Sequence, residues 1–270
     1  WNSWSCFFFI FFINKFKNKL IIYDAYTLIH EDYKDKILKK NILLEFIYKK
    51  IEIFIYSNCN IIITDTILHK KKIQKLLKIK KKIIVLNVSQ KNIINKYNEI
   101  NKKKLVLIHA GADRKLHGIN QMIYLVHGLP YNLKKKILFK IICKDNYDNY
   151  KKIISKLKCE KYIKLIRPLK HASYLKLIKQ SDLCLGLLGK TNKAEHVISN
   201  FIVTCTNLGK TIITKKTKAA TIYLNKNKGI FLLKKPYQIN FSKFVKKYQN
   251  SSKFRNKTQS SIYFLAQRKF

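Results

Sequence analysis

Short runs of β-branched and aliphatic residues alternate with longer stretches whose apolar side chains recur at helical spacing, and this alternation constrains the chain more than any other feature. Leu105–Ala110, Ile137–Cys143, Tyr162–Ile166, Leu183–Leu188, Thr211–Thr214 and Ile230–Leu233 read as strands. Between them, Gly118–Leu129, Tyr147–Leu157, His171–Gln180, Ala194–Leu208 (stopped by Gly209) and a short turn near Ala219–Leu224 read as helices. Upstream, Leu20–Tyr23, Ile61–Thr64 and Ile83–Val88 read as strands, with helices over Asn41–Tyr56 and after the Asp65-Thr66 cap. Strands that alternate with helices specify parallel sheets joined by crossovers. Continuous apolar strands such as Ile61–Ile63 and Leu105–Ile108 suit sheets covered on both faces. The expected fold is α/β: two Rossmann-like units of the doubly wound kind, the N-terminal one incomplete, with parallel sheets flanked by helices.

The polar stretch Lys91–Lys104 separates the two series of elements. The expected division is 1–92 for a partial N-terminal unit, 93–104 for a linker, 105–240 for a C-terminal unit and 241–270 for a helical tail built on Ser242–Tyr248 and Ser260–Gln267. Cys6–Ile13 is an unbroken apolar run, too short to span a bilayer. Its lysines (Lys15, Lys17, Lys19) follow it, whereas a signal peptide carries them in front.

The formal charge of +43 raises the question of nucleic acid. Of the 57 basic residues only four are arginine (Arg114, Arg167, Arg255, Arg268). Abundant Lys, Asn and Ile with scarce Gly and Pro is what AT-rich codons produce, and a phosphate-gripping surface favours arginine for its bidentate contacts. The lysines interleave with apolar residues, as a solvated face does. There is neither an RNP-type nor a helix-turn-helix pattern, so nucleic acid is not the expected partner. The six cysteines form no CxxC or Cys/His zinc spacing. That predicts no metal and a reduced, cytoplasmic compartment.

Ligands of open parallel sheets bind at the carboxyl ends of the strands. At one such end lies Gly111-Ala-Asp-Arg-Lys-Leu-His-Gly118, where a strand passes through a loop into a helix. A helix N-terminus offers free N–H groups to an anion, and Arg114 and Lys115 add charge. At another lies Ser181-Asp-Leu-Cys-Leu-Gly-Leu-Leu-Gly189, followed by Lys193-Ala194, Val197-Ile198-Ser-Asn200 and Leu208-Gly-Lys-Thr-Ile-Ile-Thr214.

In order and spacing, these segments resemble one branch of the family-4-type glycosyltransferases of GT-B fold. That branch reads Gly-x-x-x-x-Leu-His-Gly, then Ala-Asp-x-x-Leu-Gly-x-Phe-Gly, Lys-Ala, Val-Ile-Pro-Asn-Lys and Gly-Lys-Pro-Val-Ile-Thr. Upstream, Leu20-Ile-Ile-Tyr-Asp24 and Ile61-Ile-Ile-Thr-Asp65-Thr66 with His69 resemble the later part of the family's N-terminal domain. The resemblance runs from about residue 20 to 235. It implies a nucleotide-sugar donor held by the 105–240 unit and an acceptor, glycan or lipid-linked, on the 1–92 side. By the same token Gly111, Arg114, Lys115, His117 and Gly118 would hold phosphate, Lys193 would approach the donor, and Asn200 and Thr204 would lie near the sugar or ribose. Asp24, Asp65 and His69 are the acceptor-side candidates. No cofactor is implied beyond the donor itself. Lysine-rich faces are also suited to peripheral contact with an anionic membrane.

The departures are specific. The family's paired glutamates fall at His196 and Thr204, its Pro-Asn-Lys reads Ser199-Asn200-Phe201, the Gly at the end of the Cys143 strand is missing, and a later Glu falls at Ile222. The family's first strands have no counterpart before Trp1, so the N-terminal unit is expected to be truncated. No residue stands out as a general base. The alternatives are a degenerate member that keeps the fold without turnover and, from another class, a basic nucleic-acid-binding protein.

Overall fold

In the computed structural model, residues 20–26, 28–36, 42–77, 81–86, 104–112, 115–224, 229–258 and 262 are described. The Cys6–Ile13 run, most of the expected linker, Arg114 and most of the expected 260–267 helix lie outside them. The chain divides into two compact units, at residues 87 and 88.

The first unit holds strands β1 (Ile22–Asp24), β2 (Ile61–Thr64) and β3 (Lys82–Val85), all parallel in that order, with Ile62 opposite Tyr23 and Ile83. Helices α1 (Ile29–Lys36), α2 (Ile42–Asn58) and α3 (Ile67–Leu77) accompany them; α1 is an element the hydrophobic pattern does not announce. Its core gathers Ile55, Tyr56, Ile62, Ile73 and Ile83. The fully buried Glu52 of α2 holds α1 in place: its carboxylate accepts from Ile29 N at 2.9 Å and Tyr56 Oη at 2.6 Å, and it pairs with His30.

The second unit holds six parallel strands: β4 (Leu105–Ala110), β5 (Ile137–Ile142), β6 (Ile163–Ile166), β7 (Leu183–Leu185), β8 (Thr211–Lys215) and β9 (Ile230–Leu233). Their spatial order is β6-β5-β4-β7-β8-β9. The chain therefore builds outward from β4 in one direction, then returns and builds outward in the other. Between β4 and β7 the order reverses, and that reversal opens a crevice at the carboxyl ends of those two strands. The helices are α4 (Ile119–His127), α5 (Tyr131–Lys134), α6 (Tyr147–Lys156), α7 (His171–Lys179), α8 (Asn200–Asn207), α9 (Lys218–Leu224) and α10 (Tyr237–Asn250), followed by a helix over 252–258.

All six residues of β4 are buried, and the pleat explains why. Leu105 and Leu107 join the core that α4, α6 and α10 cover, whereas Ile108 and Ala110 join the one covered by α7, α8 and α9. Asp182 fixes the start of the β4–β7 pairing: its carboxylate accepts from Val106 N at 2.7 Å and its own N–H donates to Val106 O at 2.8 Å.

Several expected elements differ in extent; the helix expected over Ser242–Tyr248, for one, is α10, Tyr237–Asn250. The helix expected over Ala194–Leu208 is a 3-10 turn, Lys193–Glu195, and then α8, because Ser199 in an extended conformation caps Ile202 N at 3.4 Å and starts the helix there. The strand expected to reach Leu188 ends at Leu185, since beyond it the backbone turns to bond the β4–α4 loop.

Candidate functional site

The β4–α4 loop and the segment after β7 clasp each other through their main chains. Leu188 N donates to His117 O and Gly189 N to Leu116 O, each at 3.0 Å. No side chain larger than hydrogen fits at the seam. A Cβ on Gly189 would lie 2.1 Å from Lys115 O, and one on Gly118 would lie 2.6 Å from Gly189 N. Gly118 also has φ of 69°, a left-handed conformation that glycine adopts without penalty, and this turns the chain into α4. Gly111 ends β4, where a Cβ would fall 2.3 Å from the His117 ring.

Gly118, at the N-cap of α4, offers no side-chain cap, in contrast to α8 with its Ser199. A helix start carries N–H groups without helical partners and the positive end of the helix dipole, and α4 starts beside the Gly118–Gly189 seam. Lys115 is exposed beside them and Lys190 is exposed after the Gly189 clasp.

The β7 segment is tied to β8 in turn. Lys215 N donates to Leu187 O at 2.9 Å and Thr214 Oγ1 donates to the same oxygen at 3.1 Å. Lys215 Nζ donates to Gly189 O at 3.3 Å and to Glu195 Oε1 at 3.0 Å. Glu195 Oε2 then accepts from Lys218 N at 3.2 Å, at the start of α9. Burial pushes the Glu195 carboxyl up, but its hydrogen bonds to Lys215 and Lys218 N and the charge of Lys215 outweigh that, and the net shift is downward.

His109, the fifth residue of β4, is wholly buried beneath this assembly. Its Nδ1 donates to Leu185 O at 2.7 Å, so the neutral ring keeps its lone pair on Nε2. That atom is buried and has no hydrogen-bond partner among the described residues. The ring meets His117 and Phe201 edge to face, with centroids at 5.3 and 5.4 Å. Burial, and after it the His117 ring, lower the His109 pKa from 6.5 to about 3, against the opposing effect of the Leu185 bond.

Of the sequence-predicted donor residues, Gly111, Lys115, His117 and Gly118 come together at the start of α4, and Arg114 lies outside the described residues. Lys193 is buried in the 3-10 turn and Asn200 is exposed at the first position of α8. Thr204 is buried: its hydroxyl donates to Asn200 O at 2.9 Å and is hydrogen-bonded to Tyr174, whose phenol burial raises well above its ordinary value. Sequence reasoning missed His109, Lys215 and Glu195. One signal for Glu195 was available, since it is the only acidic residue after Asp182 in a chain with 14.

In the first unit, Asp24 is exposed at the end of β1. Asp65 and His69 follow β2, with His69 Nδ1 donating to Asp65 Oδ1 at 2.6 Å and His69 N to Thr66 Oγ1 at 3.2 Å. His69 Nε2 and Thr64 Oγ1, both buried, have no hydrogen-bond partner among the described residues. Also among the described residues, no group of three or more His, Cys, Asp or Glu is placed to hold a metal ion.

No family model matches the chain, and no curated protein matches it in sequence. Solved structures do match in three dimensions. The pneumococcal O-GlcNAc transferase GtfA, solved with UDP and GlcNAc, superposes with a TM-score of 0.73 at 11% identity, over 95% of this chain and 50% of GtfA. WaaG, a glycosyltransferase involved in lipopolysaccharide biosynthesis, superposes with a TM-score of 0.71 at 14% identity, over 92% of this chain and 70% of WaaG. The chain has the GT-B fold. Anabaena Alr3699/HepE, solved with UDP and glucose, is a third relative of this fold, with a TM-score of 0.70 at 13% identity over 92% of this chain and 67% of that one. At such identities the likeness is one of fold. The GT-B chain described here spans about half the length of GtfA, and its crevice is built from the residues named above.

Proposed function

We propose that the chain acts as a family-4-type glycosyltransferase, moving a sugar from a nucleotide-sugar donor to a hydroxyl acceptor. The observation that supports this reading is the glycine-walled N-terminus of α4 at the point where the strand order reverses. A diphosphate there meets main-chain N–H groups and a helix dipole fixed before the ligand arrives. Preorganised donors of this kind stabilise the negative charge that develops on a departing nucleoside diphosphate. Lys115, Arg114 and His117 add positive or donor groups on the phosphate side. Lys193 approaches the donor, and Asn200 and Thr204 lie near the sugar or ribose. Lysines supply the positive charge, so the reaction runs without a metal. Asp24, Asp65 and His69 belong to the acceptor side, where Asp65 orients the His69 ring and leaves Nε2 as its free basic atom. The acceptor is a glycan or a lipid-linked one, and the protein works in the cytoplasm with peripheral contact to an anionic membrane.

Thermal unfolding with UDP, GDP and ADP tests the donor site. Saturation with a true ligand raises the melting temperature, and a hundredfold excess over Kd stabilises by about 2.7 kcal/mol. Lys115→Ala is expected to weaken that response. Absence of any nucleotide response, together with tight, salt-sensitive RNA binding, would overturn the proposal in favour of a nucleic-acid-binding protein. A second reading, nucleotide binding without turnover, is favoured by Thr204, whose hydroxyl is engaged within α8 and with Tyr174. Nucleotide binding with no sugar release or transfer from any UDP-sugar would decide for it.

A further inference from the structure

Glu195 is the last acidic residue of the chain, and it is spent on one lysine. Its Oε1 accepts from Lys215 Nζ at 3.0 Å, with the Lys215 side chain 13% and the Glu195 side chain 30% exposed. An ammonium so far withdrawn from water needs a partner of this kind. The same ammonium donates to Gly189 O at 3.3 Å. Gly189 is thereby gripped on both sides, its N–H by Leu116 O at 3.0 Å and its carbonyl by Lys215. In a planar trans peptide the carbonyl and the next N–H point in opposite directions. With its oxygen turned to Lys215, the Gly189–Lys190 peptide presents the Lys190 N–H away from Lys215. That N–H has no hydrogen-bond partner among the described residues. It follows directly on the Gly118–Gly189 seam, where α4 starts.

We propose that the Lys190 N–H is a main-chain donor to the diphosphate of the bound nucleotide, and that Glu195 and Lys215 are the positioning residues that fix its direction. Lys215 acts through the Gly189 carbonyl, and Glu195 acts through Lys215; neither touches the ligand. A peptide released from Lys215 is free to rotate and turn its carbonyl oxygen on the anion. The grip keeps the donor in place before the ligand arrives, so no reorganisation is needed on binding. This role rests on the nucleotide reading above, to which it adds one donor and the two side chains behind it.

Equilibrium titration with UDP, GDP and ADP, each beside its nucleoside, tests it. Lys215→Met is expected to weaken the diphosphate on the order of tenfold, the scale of one hydrogen bond to a charged group, and the nucleoside much less. Lys215→Arg puts a charged donor back and is expected to recover most of the loss. Lys190→Pro deletes the N–H itself, and it is expected to bind the diphosphate on the order of tenfold more weakly than Lys190→Ala, which loses only the side chain. Lys190 is exposed, so this second pair decides even if Lys215→Met does not fold. Equal losses of diphosphate and nucleoside in Lys215→Met would mean that the ion pair only supports the fold. Equal affinities of Lys190→Pro and Lys190→Ala would leave the N–H without a ligand. Either result overturns the proposal while the nucleotide reading stands. If no diphosphate binds the parent chain, both fall.

Discussion

Gly118 and Gly189 lie back to back, so that a Cβ built on the first would fall 2.6 Å from the main-chain nitrogen of the second. The contact lets the β4–α4 loop and the β7 segment exchange main-chain hydrogen bonds, and so holds the start of α4 against the crevice. Gly189→Ala places a methyl group 2.1 Å from Lys115 O, a backbone atom that cannot swing away. The expected cost is about 1–3 kcal/mol of stability, with weaker nucleotide binding. Gly209→Ala is the control. Its φ of 66° also penalises alanine, by about 1 kcal/mol, but nothing lies within 4 Å of the added atom, so nucleotide binding is expected to be unchanged. Urea unfolding and nucleotide titration of both variants check the pair.

Glu195 joins the 3-10 turn to β8 through Lys215 and to α9 through Lys218 N. Its folded pKa is depressed, so its contribution to stability is present above its ordinary value of 4.5 and is lost as the pH falls through the folded pKa. Glu195→Gln is expected to flatten that part of the pH–stability curve. Lys215→Met is expected to flatten it too, since it removes the principal partner. Urea midpoints measured from about pH 6 down to about pH 3, the range that crosses a depressed carboxylate, check both.

His109 behaves in the same sense with a different charge. An imidazole lowered from 6.5 to about 3 takes up its proton only when the chain unfolds. Stability is therefore full above about 6.5 and falls by about 1.4 kcal/mol for each pH unit below that. His109→Asn keeps a neutral donor near the Leu185 oxygen and is expected to remove this slope. The comparison of parent and variant by denaturant unfolding at pH 7.5 and at about 5.5 isolates it from the carboxylates.

Glu52 serves three groups at once: Ile29 N, Tyr56 Oη and His30. Glu52→Ala strands the first two in the interior and is expected to destabilise the first unit by on the order of 3 kcal/mol. Amide hydrogen exchange resolved by segment is the check. Residues of α1, α2 and β2 should exchange faster, while β4 and β5 keep their protection.

Most of the architecture was legible from pattern alone, because apolar runs and helical spacing report on which faces are covered. Ile61–Thr64 and Ile230–Leu233 run as read, and Thr66 caps α3 as its position before that helix implies. α1 escaped because its residues, Ile29–Lys36, are mostly polar and it is anchored by the distant Glu52. The break before α8 escaped because Val197 and Ile198 continue a helical apolar pattern, while the cap at Ser199 is a matter of one backbone conformation. At the site, the glycines of the β4–α4 loop could be marked because loops between strand and helix call for them. His109 and Glu195 could not be assigned partners, since these come from residues far along the chain or from main-chain atoms.

The sequence by itself determined that the chain alternates strand and helix and that its strands are parallel; local period and residue chemistry suffice for that. Only the tertiary structure decided that β4 and β7 are neighbours, with the order of strands reversing between them. That adjacency sets Gly118 on Gly189 and Lys215 on Glu195, because contacts between residues some 20 to 80 positions apart, on the scale of the 76 separating His109 from Leu185, follow from which strand pairs with which and from no local pattern.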